Sequence, residues 1–145
     1  MRAWLMDGYE GVENLHLGEV AVPEPGPGQV LLKVRFAALN PADAFLAQAM
    51  YPAKPPLPHV LGRDGVGEVV AVGTGVDKAH RIGGVAVSDY ERDGAQGAWK
   101  RIVERLDAIG KRPLVDRVFA FEDIKAAFAR LAQGPMGKVL VHVVG

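Results

Sequence analysis

The sequence predicts a mainly β fold with some α, an α+β domain whose strands form a small β barrel with flanking helices. Three observations carry this expectation. The first half shows short β-patterned runs set apart by Gly and Pro clusters. The second half alternates strand-like runs with two apolar stripes at helical spacing. Between Ala79 and Arg112 there is room for one strand and one helix, whereas a doubly wound parallel sheet strings together several strand–helix–strand units of about 30 residues each.

Taken in order, MRAWLM, LHLGEVAVPEP and QVLLKVRFAAL read as strands. The turn cluster PEPGPGQ separates the last two, since proline fixes φ and glycine admits positive φ. After Asn40 the pattern changes to a short helix, PADAFLAQA, with Pro41 at the first helical position. Prolines at 52, 55, 56 and 58 forbid regular structure in YPAKPPLPHVLG, which reads as a rigid loop. GVGEVVAVG resumes β character, and GTGVDK is the turn that ends it. RIGGVAV is a short apolar strand candidate. AWKRIVERLDAIG then places Trp99, Ile102, Val103, Leu106 and Ile109 along one helical face, with Gly110 to cap it. RPLVDRVFAF reads as a strand and FEDIKAAFARLAQGP as a helix with Ile124, Phe128 and Leu131 on one face. KVLVHVV closes the chain as a strand, and no internal repeat or low-complexity segment is evident.

Composition excludes several classes of function. At 145 residues the chain has the length of one domain, and 49% apolar with 23% charged residues is ordinary for a folded globular protein. Seventeen basic side chains balance seventeen acidic ones, so the electrostatic footprint of a nucleic-acid or anionic-membrane binder is missing. The absence of cysteine excludes disulfides, thiolate nucleophiles and thiolate-ligated zinc together. Asp7 and Gly8 interrupt the start before any apolar run of signal-peptide length, and no later segment could span a bilayer, so a cytoplasmic location is the expectation.

The blocks QVLLKVRFAALNPADAF, YPAKPPLPHVLGRDGVGEVVAVGTGVDK and RPLVDRVFAFEDIKAAFARLAQGPMGKVLVHVV together resemble the medium-chain dehydrogenase/reductase superfamily. Within it they are most similar to the zinc-independent quinone oxidoreductase branch. The resemblance covers residues 1–78 and roughly 80–145. It implies a GroES-like β barrel, in agreement with the strand-and-turn pattern, and a Rossmann domain that the family carries between these blocks. Most of that cofactor domain is missing here. The expectation is a single GroES-like substrate (catalytic) domain over 1–145, formed by 1–79 plus 112–145, with 80–111 as the remnant strand and helix of an excised nucleotide-binding domain.

Two GxG phrases, Gly65-Val66-Gly67 and Gly73-Thr74-Gly75, lack the third glycine and the following helix that bring N–H groups to a pyrophosphate. They are read as barrel turns. In zinc-dependent relatives a cysteine follows the third strand and a Gly-His-Glu supplies another ligand; here those places read Leu39-Asn40-Pro41 and Gly62-Arg63-Asp64. His16, His59, His80 and His142 show no ligand spacing, so no metal site is expected.

In metal-free relatives hydride passes from NADPH to the β-carbon of an enone or quinone, and the protein positions the ring and assists the carbonyl oxygen. By the same resemblance, Asn40 of NPAD and Tyr51 of YP line the nicotinamide side and the substrate pocket, and are the catalytic and cofactor-binding residues named for this chain. Asn40 could donate an amide hydrogen bond, and Tyr51 a phenol that donates and stacks. The competing reading makes Asn40 a helix cap and Tyr51 a packing residue at the loop edge. Asp43 belongs to the helix's first turn, and Arg63 with Asp64 could form a local pair.

The expected biochemical state is a substrate domain without self-sufficient hydride transfer, of NADP(H)-dependent lineage but with no tight cofactor binding of its own. A small carbonyl or quinone compound is the partner it could take. Two alternatives stand beside it: a reductase whose nucleotide site is built across an oligomer, and a co-chaperonin-like module, which the proline-stiffened loop disfavours. Excision should leave part of the former domain face bare, around Trp99, Ile102, Leu106 and Ile109, and a homo-oligomer is the expected consequence.

Overall fold

The computed structural model describes residues 1–76, 100–102 and 104–143. Its strands are β1 (Arg2–Met6), β2 (His16–Glu19), β3 (Val30–Ala38), β4 (His59–Val60), β5 (Asp64–Val72), β6 (Val115–Ala120) and β7 (Lys138–His142). Helix α1 spans Pro41–Ala47 and α3 spans Ile124–Ala132, with α2 between them at residues 100–102 and 104–108. The strand expected over RIGGVAV lies outside the described residues, as do Trp99 and Val103.

The strands form two sheets, ordered β2-β1-β4 and β5-β3-β7-β6. The expected closed barrel is not formed: among the described residues no ladder joins the two sheets into a ring. Closure demands long, staggered ladders. The proline-rich crossing supplies only the two-residue β4, because Pro55, Pro56 and Pro58 carry no N–H to donate. The β run expected over LHLGEVAVPEP likewise shortens to the four residues of β2. The α+β class itself stands.

The larger sheet takes strands from both ends of the chain. β3 runs antiparallel to β5 on one side and to β7 on the other, with Phe36 opposite His142. β6 then joins β7 in parallel. A parallel pair needs a crossover, and α3 is that crossover. Its Ile124 and Phe128 are buried on the face the sequence indicated, and Leu131 packs at the margin. Arg130 of α3 makes a bidentate pair with Asp116 of β6, at 2.6 and 2.8 Å. The fully buried Val139 and Val141 of β7 meet Phe128, Met6, Leu15 and Leu39 in one core. Burying a side chain such as Phe128 stabilises the fold by about 1.5–3 kcal/mol relative to exposure.

Helix α1 begins as the sequence suggested, with Pro41 in its first turn and Asn40 as N-cap. It ends two residues earlier than PADAFLAQA implied. Ile102 of α2 and Ile109 just past its end are exposed, while Leu106 is half-buried. Gly110 and Gly134 stand just beyond α2 and α3 at φ of 61° and 69°. Among the described residues no helix is long and apolar enough to cross a membrane.

Candidate functional site

The site assembles where three segments meet: the start of α1, the loop that leads into β5, and the first residue of β7. Backbone hydrogen bonds set these in place before any side chain acts. Leu39 N–H donates to the Val139 carbonyl at 3.0 Å, so Asn40 and Lys138 emerge side by side. Asn40 N–H donates to Asp43 Oδ2 at 2.9 Å, while Asp43 N–H donates to the Asn40 carbonyl at 3.0 Å. The Asp43 carboxyl thus takes the N-cap N–H, the N3 half of a capping box, and the Asn40 main chain is tied to the first turn of α1.

With its backbone committed to the cap, the Asn40 side chain is turned outward. Its Nδ2 donates to Asp64 Oδ2 at 2.9 Å, and its Oδ1 accepts from Lys138 Nζ at 2.5 Å. Lys138 Nζ also lies 3.7 Å from Asp64 Oδ2. Asn40 Nδ2 has one further contact, 3.5 Å to the Ala38 carbonyl, at the outer limit of a hydrogen bond.

Tyr51 is held separately, by Arg63. The guanidinium sits 4.4 Å from the centre of the Tyr51 ring, a cation–π distance, and Arg63 Nη1 donates to the Tyr51 hydroxyl at 3.1 Å. One face of the ring is thereby covered, and the hydroxyl keeps its own proton to donate. Arg63 Nε approaches Asp43 Oδ1 at 3.7 Å. Asn40 and Tyr51 are therefore linked through Asp43 and Arg63, two residues from different segments.

Asp43 is the unusual member. Its side chain is 1% exposed, and its Oδ1 has no hydrogen-bond partner. Burial pushes its carboxyl above the ordinary aspartate range, opposed by the Asn40 N–H and the Arg63 charge, while nearby Asp64 raises it further. The expected Arg63–Asp64 pair is not formed. Arg63 turns to Asp43 and Tyr51, and Asp64 to Asn40 and Lys138. Lys138 was not identified from the sequence at all; it stands 98 residues from the asparagine it contacts, and no local pattern marks it.

Chemically, two cations and two carboxylates surround an amide and a phenol. Such a set can present N–H and O–H donors to an uncharged oxygen. Two surface concavities, one lined by residues around Asp7 and Asn14 and one by Pro23–Pro25 with Gln29–Leu31, share no residue with this cluster.

The remaining sequence candidates find local explanations. Gly67 lies within β5, and a Cβ there would meet the Lys33 carbonyl at 2.1 Å beside a register shift; Gly65 is also in the strand. This corrects the barrel-turn reading for Gly65-Val66-Gly67. Gly73 does stand at the turn, where a Cβ would come within 1.8 Å of the Gly26 carbonyl. His16 lies 3.3 Å from Asp7, and His142 stacks on Phe36 with ring centres 4.8 Å apart. His80 is outside the described residues. Among the described residues no three His, Asp or Glu side chains group as a metal site requires. Nor does a glycine phrase there open on to a helix that could seat a pyrophosphate.

Comparison with known proteins places this geometry in context. The sequence pattern of the alcohol dehydrogenase GroES-like domain matches residues 26–103. The chloroplastic NADPH-dependent alkenal/one oxidoreductase of Arabidopsis thaliana is 47% identical over 78 residues, covering 52% of this chain and 20% of that protein. A quinone oxidoreductase of Lama guanicoe is 42% identical over 74 residues, covering 50% of this chain and 22% of that one. The match thus spans about a fifth of these relatives. The crystal structure of human synaptic vesicle membrane protein VAT-1 homolog-like protein superimposes with a TM-score of 0.79 at 16% identity, covering all of this chain and 99% of the other.

Proposed function

The chain belongs to the alcohol dehydrogenase GroES-like domain family of medium-chain dehydrogenases/reductases, and on that premise we propose that it is a carbonyl-binding substrate domain of the quinone and alkenal oxidoreductase type. In this reading NADP(H) is the reductant of the parent enzymes, residues 80–111 are the remnant of a nucleotide-binding domain, and the chain alone does not turn over. Catalysis in the lineage is zinc-independent, since Leu39-Asn40-Pro41 and Gly62-Arg63-Asp64 stand where metal ligands are needed.

The observation that carries this reading is the cluster joining Asn40 to Tyr51 through Asp43 and Arg63. This assembly needs explanation, because it holds a buried carboxyl, Asp43, whose Oδ1 has no hydrogen-bond partner, and such burial costs free energy. Presenting an amide and a phenol to one carbonyl oxygen explains it, since donors placed in advance cost no reorganisation when charge develops on that oxygen. When bound, the cofactor would supply hydride; the residues of this chain would orient the acceptor.

The test is a titration of isotopically labelled chain with 2-cyclohexen-1-one, followed by amide resonances. Saturable shifts at residues 40, 51 and 63 are expected. Saturable shifts confined to other regions, or none, would exclude a carbonyl site here.

A second reading, in which two copies share a nucleotide site, is favoured by the apolar side chains that α2 and β5 leave in solvent, Ile102, Ile109, Val66 and Val70. Sedimentation at several concentrations decides it: a mass that stays monomeric throughout removes this alternative.

A further inference from the structure

The polar cluster contains one residue that neither the sequence motifs nor the family comparison assigns. We infer that Lys138 is a positioning residue that sets the orientation of the Asn40 amide, so that Asn40 meets a carbonyl ligand as a hydrogen-bond donor. The inference rests on the carbonyl-binding reading above and names what makes that site work.

The argument begins with the chemistry of the two neighbours. A lysine ammonium can only donate, and an ionised carboxylate can only accept. Asn40 stands between one of each: Lys138 Nζ is 2.5 Å from its Oδ1, and Asp64 Oδ2 is 2.9 Å from its Nδ2. Rotating the amide by half a turn would set NH2 against ammonium and carbonyl oxygen against carboxylate. Both contacts would then be repulsive. The pair therefore selects one of the two amide orientations, and the 3.7 Å approach of Lys138 to Asp64 closes the three groups into a ring.

Remove the lysine and the selection weakens. Asp64 alone still prefers NH2, but Oδ1 loses a charge-assisted bond, a class worth more than a neutral one. A free side-chain amide would then sample several rotamers and turn its oxygen toward a ligand's oxygen for part of the time.

The backbone keeps Lys138 within reach. Its N–H donates to the Leu114 carbonyl at 2.9 Å, and the next residue, the fully buried Val139, accepts from Leu39 N–H at 3.0 Å. The lysine is thus the outermost residue of a strand whose following positions are locked in the core, and its side chain is 48% exposed. It can be replaced without disturbing that core.

Lys138→Met and Lys138→Arg in the full 145-residue chain test the inference. Two signals are read: the side-chain amide resonances of Asn40, and the affinity for 2-cyclohexen-1-one. Wild type should show two well-separated Asn40 Nδ2 proton resonances. In Lys138→Met their separation should shrink and the affinity should fall roughly tenfold, as loss of a charge-assisted hydrogen bond implies. Lys138→Arg, which keeps a cationic donor, should recover both in large part, while the thermal midpoint of either variant stays near that of wild type. Unchanged Asn40 side-chain resonances in Lys138→Met would overturn the inference, as would unchanged affinity in a chain that binds the enone. If the wild type binds no enone, the proposed function falls, and the resonance comparison still decides whether Lys138 orients the amide.

Discussion

Leu39 and Val139 lie in the apolar core, and their sequence neighbours Asn40 and Lys138 lie in the polar cluster. The same two segments thus build both regions, one peptide apart, and a single backbone hydrogen bond from Leu39 to Val139 joins them. In the core, position follows from volume: Val139, Val141, Ala127 and Phe128 leave almost no surface to solvent. In the cluster, position follows from charge and direction, and Asp43 Oδ1 faces the Arg63 cation without a hydrogen bond to it. The contrast teaches that the site borrows its rigidity. Packed residues fix the backbone, and the outward neighbours inherit that precision.

The contrast can be broken most severely from the core side. Phe128→Ala should cost about 3–5 kcal/mol, because a large cavity opens between α3 and β7. Denaturant unfolding measures this, and the Asn40 and Tyr51 resonances should broaden in the same variant. A loss below about 1 kcal/mol would place the core elsewhere.

Asp43 sharpens the contrast, because it belongs to both regions. Burial raises its carboxyl pKa in the folded chain, so the folded state holds that proton more tightly than the unfolded one. The stability that Asp43 contributes is therefore greatest below its ordinary pKa, and declines as pH rises from there through the raised value. Asp43→Asn cannot ionise and retains an oxygen for the Asn40 N–H. Relative to wild type, this variant should gain stability across that rise in pH. Denaturant midpoints measured over the acid range check this; parallel curves for the two proteins would show that burial does not govern Asp43.

The smallest effect is expected on β5, where Val66 and Val70 are 47% and 55% exposed. Val70→Thr keeps the β-branched shape and should change stability by no more than about 0.5 kcal/mol. A larger loss, seen by the same unfolding measurement, would mean that this face is covered in solution.

How much of this could be read in the sequence follows the same division. Local signals were legible: Pro41 at the start of α1, Asn40 read as a cap in the competing reading, Asp43 in the first turn, the apolar stripe of α3 and the glycines beyond the helices. Family likeness singled out Asn40 and Tyr51. Pairings across distance were not legible. Arg63 and Asp64 looked like partners because they are adjacent, yet neighbours entering a strand point to opposite sides, so each found a partner elsewhere. Lys138 carried no signal, because its role depends on β7 lying beside β3. The open sheets in place of a barrel have the same origin: alternation marks a strand, but how far its ladder extends depends on the partner it meets.

The most direct test of the account is a calorimetric titration of the purified chain with NADPH, repeated with a simple quinone present while nicotinamide absorbance is followed. The account predicts no saturable heat from NADPH and no oxidation, because no glycine phrase among the described residues opens on to a helix that could seat a pyrophosphate. Saturable NADPH binding with consumption of the nucleotide in the presence of the quinone would contradict it, and would establish a complete nucleotide site.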